Sequence, residues 1–155
     1  MSTLGYRIYK VQYNLALQDP AFRETRYHNV IFVETDPDGG GQIHHVTGDI
    51  ATGMTYQTKS GRPPEQSDTF HSKVFLGWVR KSDYPSAVDQ LLRSLPPPPR
   101  QRRFNPRKMA WEQCKPDGTP YGPQEIPPPY EKCTEWTEKK AIPALHRNGL
   151  IHASL

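Results

Sequence analysis

The stretch YHNVIFVETDPDGGGQIHHV, residues 27–46, decides the fold class. In it Val30 and Phe32 alternate with Ile31 and Val33, so a strand here carries apolar side chains on both faces, as a strand inside a sheet does. Asp36, Pro37, Asp38 and the glycines Gly39 to Gly41 then supply a turn, because glycine takes the positive φ values that tight hairpins require. QIHHVTGDI, residues 42–50, is therefore the returning strand.

Working outward, YRIYKVQYNLAL (6–17) alternates Tyr6, Ile8 and Lys10 with Arg7, Tyr9 and Val11 and predicts a first strand. ATGMTYQTK (51–59) and KVFLGWV (73–79) predict two more, separated by the loop SGRPPEQSD. SDYPSAVDQLLRSL (82–95) changes period: Ser82 or Asp83 can cap it, Pro85 suits a first turn, and Ala87, Val88, Leu91, Leu92 and Leu95 form one helical face. The expectation is an α+β domain, with an antiparallel sheet of about five strands packed against helices.

Residues 96–129 hold 11 of the 17 prolines, which argues against regular structure there. Phe104, Met109, Trp111 and Tyr121 in the same segment favour a loop draped over the domain rather than a free linker. The last segment, 130–151, reads as a helix starting near Cys133, capped by Thr134 or its neighbour and ending at Gly149, with Pro143 expected to kink or split it.

A chain of 155 residues fits one domain, with the Pro-rich basic stretch as an insert at about 96–129. Hydrophobic residues are 34% and mean hydropathy is -0.81, so the core is compact and framed by polar loops. The formal charge of +4 is too small to name a partner. Two cysteines make no disulfide scaffold, and no run of signal-peptide or membrane-spanning length occurs, which together predict a soluble, cytoplasmic protein without stable membrane insertion.

A cysteine at a helix start, such as Cys133, meets the positive end of the helix dipole and unpaired backbone amides, both of which favour a thiolate and its oxyanion. The alternative role for a lone cysteine is a buried structural thiol. His28 opens the central strand and His44 and His45 lie on the returning one, so imidazoles from adjacent strands can meet. Consecutive strand residues point to opposite faces, so only one of His44 and His45 can share the side of the catalytic groups.

The strings YHNVIFVE, the glycine turn with QIHHV, and KCTEWTEKKAIPALHRNGL resemble the circularly permuted papain-like fold of lecithin retinol acyltransferase and NlpC-type proteins, in which histidine precedes cysteine. The resemblance implies His28 as catalytic base, His44 as the second polar residue and Cys133 as nucleophile. His45, Trp136 and Tyr130 are then the candidate substrate contacts. Cys133 would attack an amide or ester of a small-molecule, peptide or acyl substrate, and a thioester would pass to water or to an acceptor, with no cofactor required.

Two other readings stand beside it: a binding protein that uses the Pro-rich basic segment, and a small-molecule enzyme that uses histidines as acid and base without the cysteine. RQRRFNPRK (100–108) carries five cations and no acid and could meet phosphate or anionic lipid, but no nucleic-acid fold signature accompanies it. No metal site is predicted, because adjacent His44 and His45 point apart and no chelating spacing joins them to Cys114 or Cys133.

Overall fold

The computed structural model describes residues 4–155. β1 (Gly5–Asn14), β2 (Tyr27–Glu34), β3 (Gly41–Asp49), β4 (Gly53–Gly61) and β5 (Phe70–Arg80) form one antiparallel sheet in the order β4-β3-β2-β1-β5. The expected α+β class and five-stranded sheet are both present. The first four strands are a meander of local connections, and β5 returns to the free side of β1, which leaves β2 interior with Val30 to Val33 all buried.

The β2–β3 turn is built as its composition predicts. Gly39 lies at φ +94, its amide donates to the Asp36 carbonyl, and Asp36 N–H donates to Gly40 O. Gly41 sits so close to the Val33 carbonyl that no side chain fits there.

The sheet's two faces are dressed differently. On one, Ile8, Ile31, Val33 and Val46 pack against Val88 and Leu92 of α1 (Ser86–Ser94) and against Cys133, Trp136, Ala141 and Leu145 of the C-terminal helical segment. On the other, Val11, Val30, Phe32 and Ile43 form a small cluster that no α-helix covers among the described residues. Tyr9, Tyr13 and Phe70 flank that cluster.

Three elements differ from the sequence expectation. α1 begins at Ser86 after Pro85, so Ser82 and Asp83 lie in a separate 3-10 turn (Lys81–Asp83) and neither caps the helix. The Pro-rich segment contains a hairpin, β6 (Arg102–Asn105) with β7 (Ala110–Gln113), because its prolines flank these strands and only Pro106 enters the turn. The remainder is strapped down by backbone bonds such as Met54 N–H to Pro98 O and Gln101 N–H to Ile50 O. At the C-terminus, α2 (Cys133–Glu135) runs into a π-helical turn (Trp136–Ala141) and then α3 (Ile142–Arg147). The wider π turn lets Ile142 N–H reach Thr137 O just before Pro143, which has no N–H to give, so the proline is absorbed without a break.

The helix start is held by Glu135, whose carboxylate accepts from Lys132 N–H at 2.8 Å and grips Arg26 in two bonds of 2.7 and 2.8 Å. Thr134, expected as a cap, instead accepts from Asn29 Nδ2 at 2.8 Å. The end is as predicted: Gly149 at φ +68 donates to His146 O while Leu150 donates to Leu145 O.

Candidate functional site

Two histidines meet on the face that no α-helix covers among the described residues. Side chains of β2 alternate, so His28 falls with Val30 and Phe32, and on β3 His45 falls with Ile43. The β2–β3 register pairs Phe32 with Ile43 and, continued, sets His45 opposite Val30, which makes His28 and His45 diagonal neighbours. His28 Nε2 lies 2.9 Å from His45 Nδ1, with the rings edge-on at 5.1 Å. One imidazole must donate and the other accept, so in either tautomer the outer nitrogens, His28 Nδ1 and His45 Nε2, offer one acceptor and one donor.

The pair lines a cavity of about 480 Å³ whose floor is Val30 and Ile43 and whose rim includes Tyr13, Lys59, Arg62 and Pro64. Lys59 is opposite Ile43 on β4 and so shares this face. Burial, followed by the Lys59 charge, pushes the His28 pKa below its ordinary 6.5. Burial, followed by His28 and Lys59, lowers that of His45 to about 4. Both rings are therefore neutral at pH 7, in a cavity whose rim charges are cationic.

His44, expected to act with His28, is on the opposite face and buried at 2% exposure. Its Nδ1 and Nε2 each lie 2.7 Å from a hydroxyl, of Tyr56 and Tyr84 respectively. Tyr56 donates its own proton to Asp89 Oδ1 at 3.0 Å. That leaves Tyr56 Oη to accept from His44 Nδ1–H, and His44 Nε2 to accept from Tyr84 O–H, so one chain of bonds runs from Tyr84 through His44 and Tyr56 to Asp89. Burial lowers the His44 pKa to about 4 against the opposing pull of Asp89. Burial, with Asp89 next in effect, raises both tyrosines above their ordinary 10.0.

Cys133 is placed with the helices. It packs with Ile31 and Val33 at 8% exposure, and its thiol donates to Tyr27 O at 3.6 Å. His28, one residue along β2 from Tyr27, sends its ring through the other face to His45. The sheet thus lies between the two side chains expected to form a nucleophile and base, and the structure does not bring them together.

The expected substrate contacts divide in the same way. His45 does line a cavity, but as the partner of His28. Trp136 is fully buried in the core against Tyr56, with ring centroids 5.8 Å apart and no hydrogen-bond partner for its Nε1 among the described residues. Tyr130 lies on a different surface, between Phe22 at 6.0 Å and the Arg102 guanidinium at 4.9 Å. Trp136 is a packing residue, enclosed by the core where α2 passes into the π turn, and Tyr130 precedes the helix on the side held by Arg26 and Asp19.

Lys59, Arg62, Tyr56, Tyr84 and Asp89 were not anticipated. For Lys59 a signal existed, since counting the strand register back from the β3–β4 turn at residues 50–52 puts it opposite Ile43. Among the described residues no group of three or more His, Cys, Asp or Glu side chains is arranged to hold a metal ion.

Compared with known proteins, residues 13–152, most of the chain, match the model of a family described as of unknown function, DUF6540. No curated protein and no solved structure matches the chain.

Proposed function

We propose that this chain, which belongs to the DUF6540 family of unknown function, is a small-molecule enzyme that moves protons through the His28–His45 pair. The carrying observation is the 2.9 Å contact between two neutral imidazoles in a cavity rimmed by Lys59 and Arg62. Lys59 and Arg62 suit a carboxylate or phosphate, while Val30, Ile43 and Pro64 suit an apolar body beside it.

The chemistry follows from the tautomers. The outer nitrogen with a free lone pair takes a proton from substrate, the shared proton shifts between the rings, and the opposite outer nitrogen gives its proton back at a second substrate atom. The pair returns as the other tautomer, with no net proton gained, which fits an isomerisation or tautomerisation. Acid–base assistance of this kind contributes about 10²- to 10⁴-fold. The cysteine acyl-transfer chemistry implied by the papain-like resemblance finds less support, because it needs Cys133 and His28 to share a cavity.

A thermal-shift screen of small carboxylic acids and phosphate monoesters tests the reading. Stabilisation by at least one acid, lost in Lys59→Ala/Arg62→Ala, is expected. Titration calorimetry in buffers of differing ionisation heat should then show proton uptake, since a bound anion offsets the Lys59 charge and raises the lowered imidazole pKa. A panel without stabilisation, or binding that is indifferent to both cations, would refute it.

A further inference from the structure

The β6–β7 hairpin sorts its side chains by face. Arg103 is opposite Glu112 and Phe104 opposite Trp111, so a charged pair takes one face and an aromatic pair the other. The Phe104 and Trp111 rings meet edge-to-face at 5.5 Å yet remain 40% and 57% exposed. Met109, at the turn with φ 50, is 75% exposed. Asn105 Oδ1 accepts from Arg107 N–H and Lys108 N–H and shapes that turn.

The charge is equally one-sided. Arg100, Arg102, Arg103, Arg107 and Lys108 precede Trp111 with no acid among them. Asp19 holds Arg102 at 2.6 Å, and Glu112 lies 3.6 Å from Arg103 and 4.0 Å from Lys108. Two carboxylates thus answer five cations, and Arg107 at the tip has no acidic partner among the described residues.

We propose that this hairpin docks the protein on an anionic lipid surface, with Trp111, Phe104 and Met109 entering the headgroup layer and Arg107 and Lys108 meeting its negative groups. A convex tip with apolar side chains beside cations complements a layer that is negative outside and apolar just beneath, and indole rings favour that boundary. The edge-to-face packing of the two rings is poorly suited to stacking successive nucleic-acid bases on both. Docking is peripheral, since no helix among the described residues is long and apolar enough to cross a membrane.

Flotation of the full chain with phosphatidylcholine vesicles, with and without about one-third phosphatidylserine, tests this. Binding should be at least about tenfold tighter to the anionic vesicles and weaken as salt rises. Trp111→Ser and Arg107→Glu/Lys108→Glu should each lose about tenfold while keeping the wild-type melting temperature. Absence of vesicle binding, or binding indifferent to both variants, overturns the proposal. So does capture of a single-stranded RNA oligonucleotide, lost in the same variants, by a protein that ignores vesicles.

Discussion

Lowering the pH should destabilise this protein through His44, and the size of the effect follows from its surroundings. His44 is enclosed by Tyr56, Tyr84 and Asp89, with both ring nitrogens bonded, and its folded pKa is about 4 against an ordinary 6.5. As pH falls through 6.5 the unfolded chain takes up the proton and the folded chain does not. The stability is therefore complete above pH 6.5, is lost between about 6.5 and 4, and levels off below. At 1.36 kcal/mol per unit, the move from pH 7 to pH 5 removes about 2 kcal/mol through this one residue, a large part of an ordinary domain's stability. Urea unfolding at pH 7, 6 and 5, followed by tryptophan fluorescence, measures it. His44→Gln should be less stable at pH 7 yet lose about 2 kcal/mol less over the same interval. Equal pH dependence in the two proteins would refute the reasoning, for it would mean that folded His44 accepts the proton as readily as unfolded chain does.

Further outcomes follow from the same geometry. Tyr56→Phe strands His44 Nδ1–H in the core and should cost about 2 kcal/mol in urea unfolding, whereas Tyr84→Phe should cost less because its end of the chain borders a surface groove that water can enter; the reverse order would mean that water does not replace the Tyr84 hydroxyl at His44. Alkylation of Cys133 in folded protein should be slow and no different in His28→Ala, by mass spectrometry, because the thiol is buried and bonded to Tyr27 O; fast labelling that depends on His28 would restore the acyl-transfer reading. Asp19 accepts from both Arg102 and Lys132 at 2.6 Å, and these partners hold its pKa well below the carboxylate range although burial opposes them. Its contribution is present above the unfolded pKa near 3.8 and is lost as pH falls below it; at pH 7 Asp19→Asn should cost about 1–3 kcal/mol in urea unfolding.

The sheet was legible because its information is local. Alternation in residues 27–34 and the three glycines that follow mark a hairpin from neighbouring residues alone, and the five expected strands lie near their observed bounds. The assignment of faces required one count more. Turn length sets which of His44 and His45 aligns with His28, and a slip of one residue exchanges them. Counting from Val33 opposite Gln42 selects His45. Of the Tyr84–His44–Tyr56–Asp89 chain only the His44–Tyr56 link, set by β3–β4 pairing, was within reach of a register count; its other bonds join residues 33 and 40 positions apart that packing of α1 and the segment before it on the sheet brings together. Cys133 shows the same boundary: a helix start was readable, but not which side of the sheet the helix would cover.

His44 and His45 are consecutive, so one strand hands an imidazole to each side of the sheet. They are near enough that charge on His44 acts on His45. The sheet then works as a thin insulating partition between two titrating compartments. An anion that draws a proton onto the open-face pair would make the buried ring harder to charge. As pH falls toward 4, where both rings begin to charge, protonation on one side would in this way oppose protonation on the other, without displacement of a single strand.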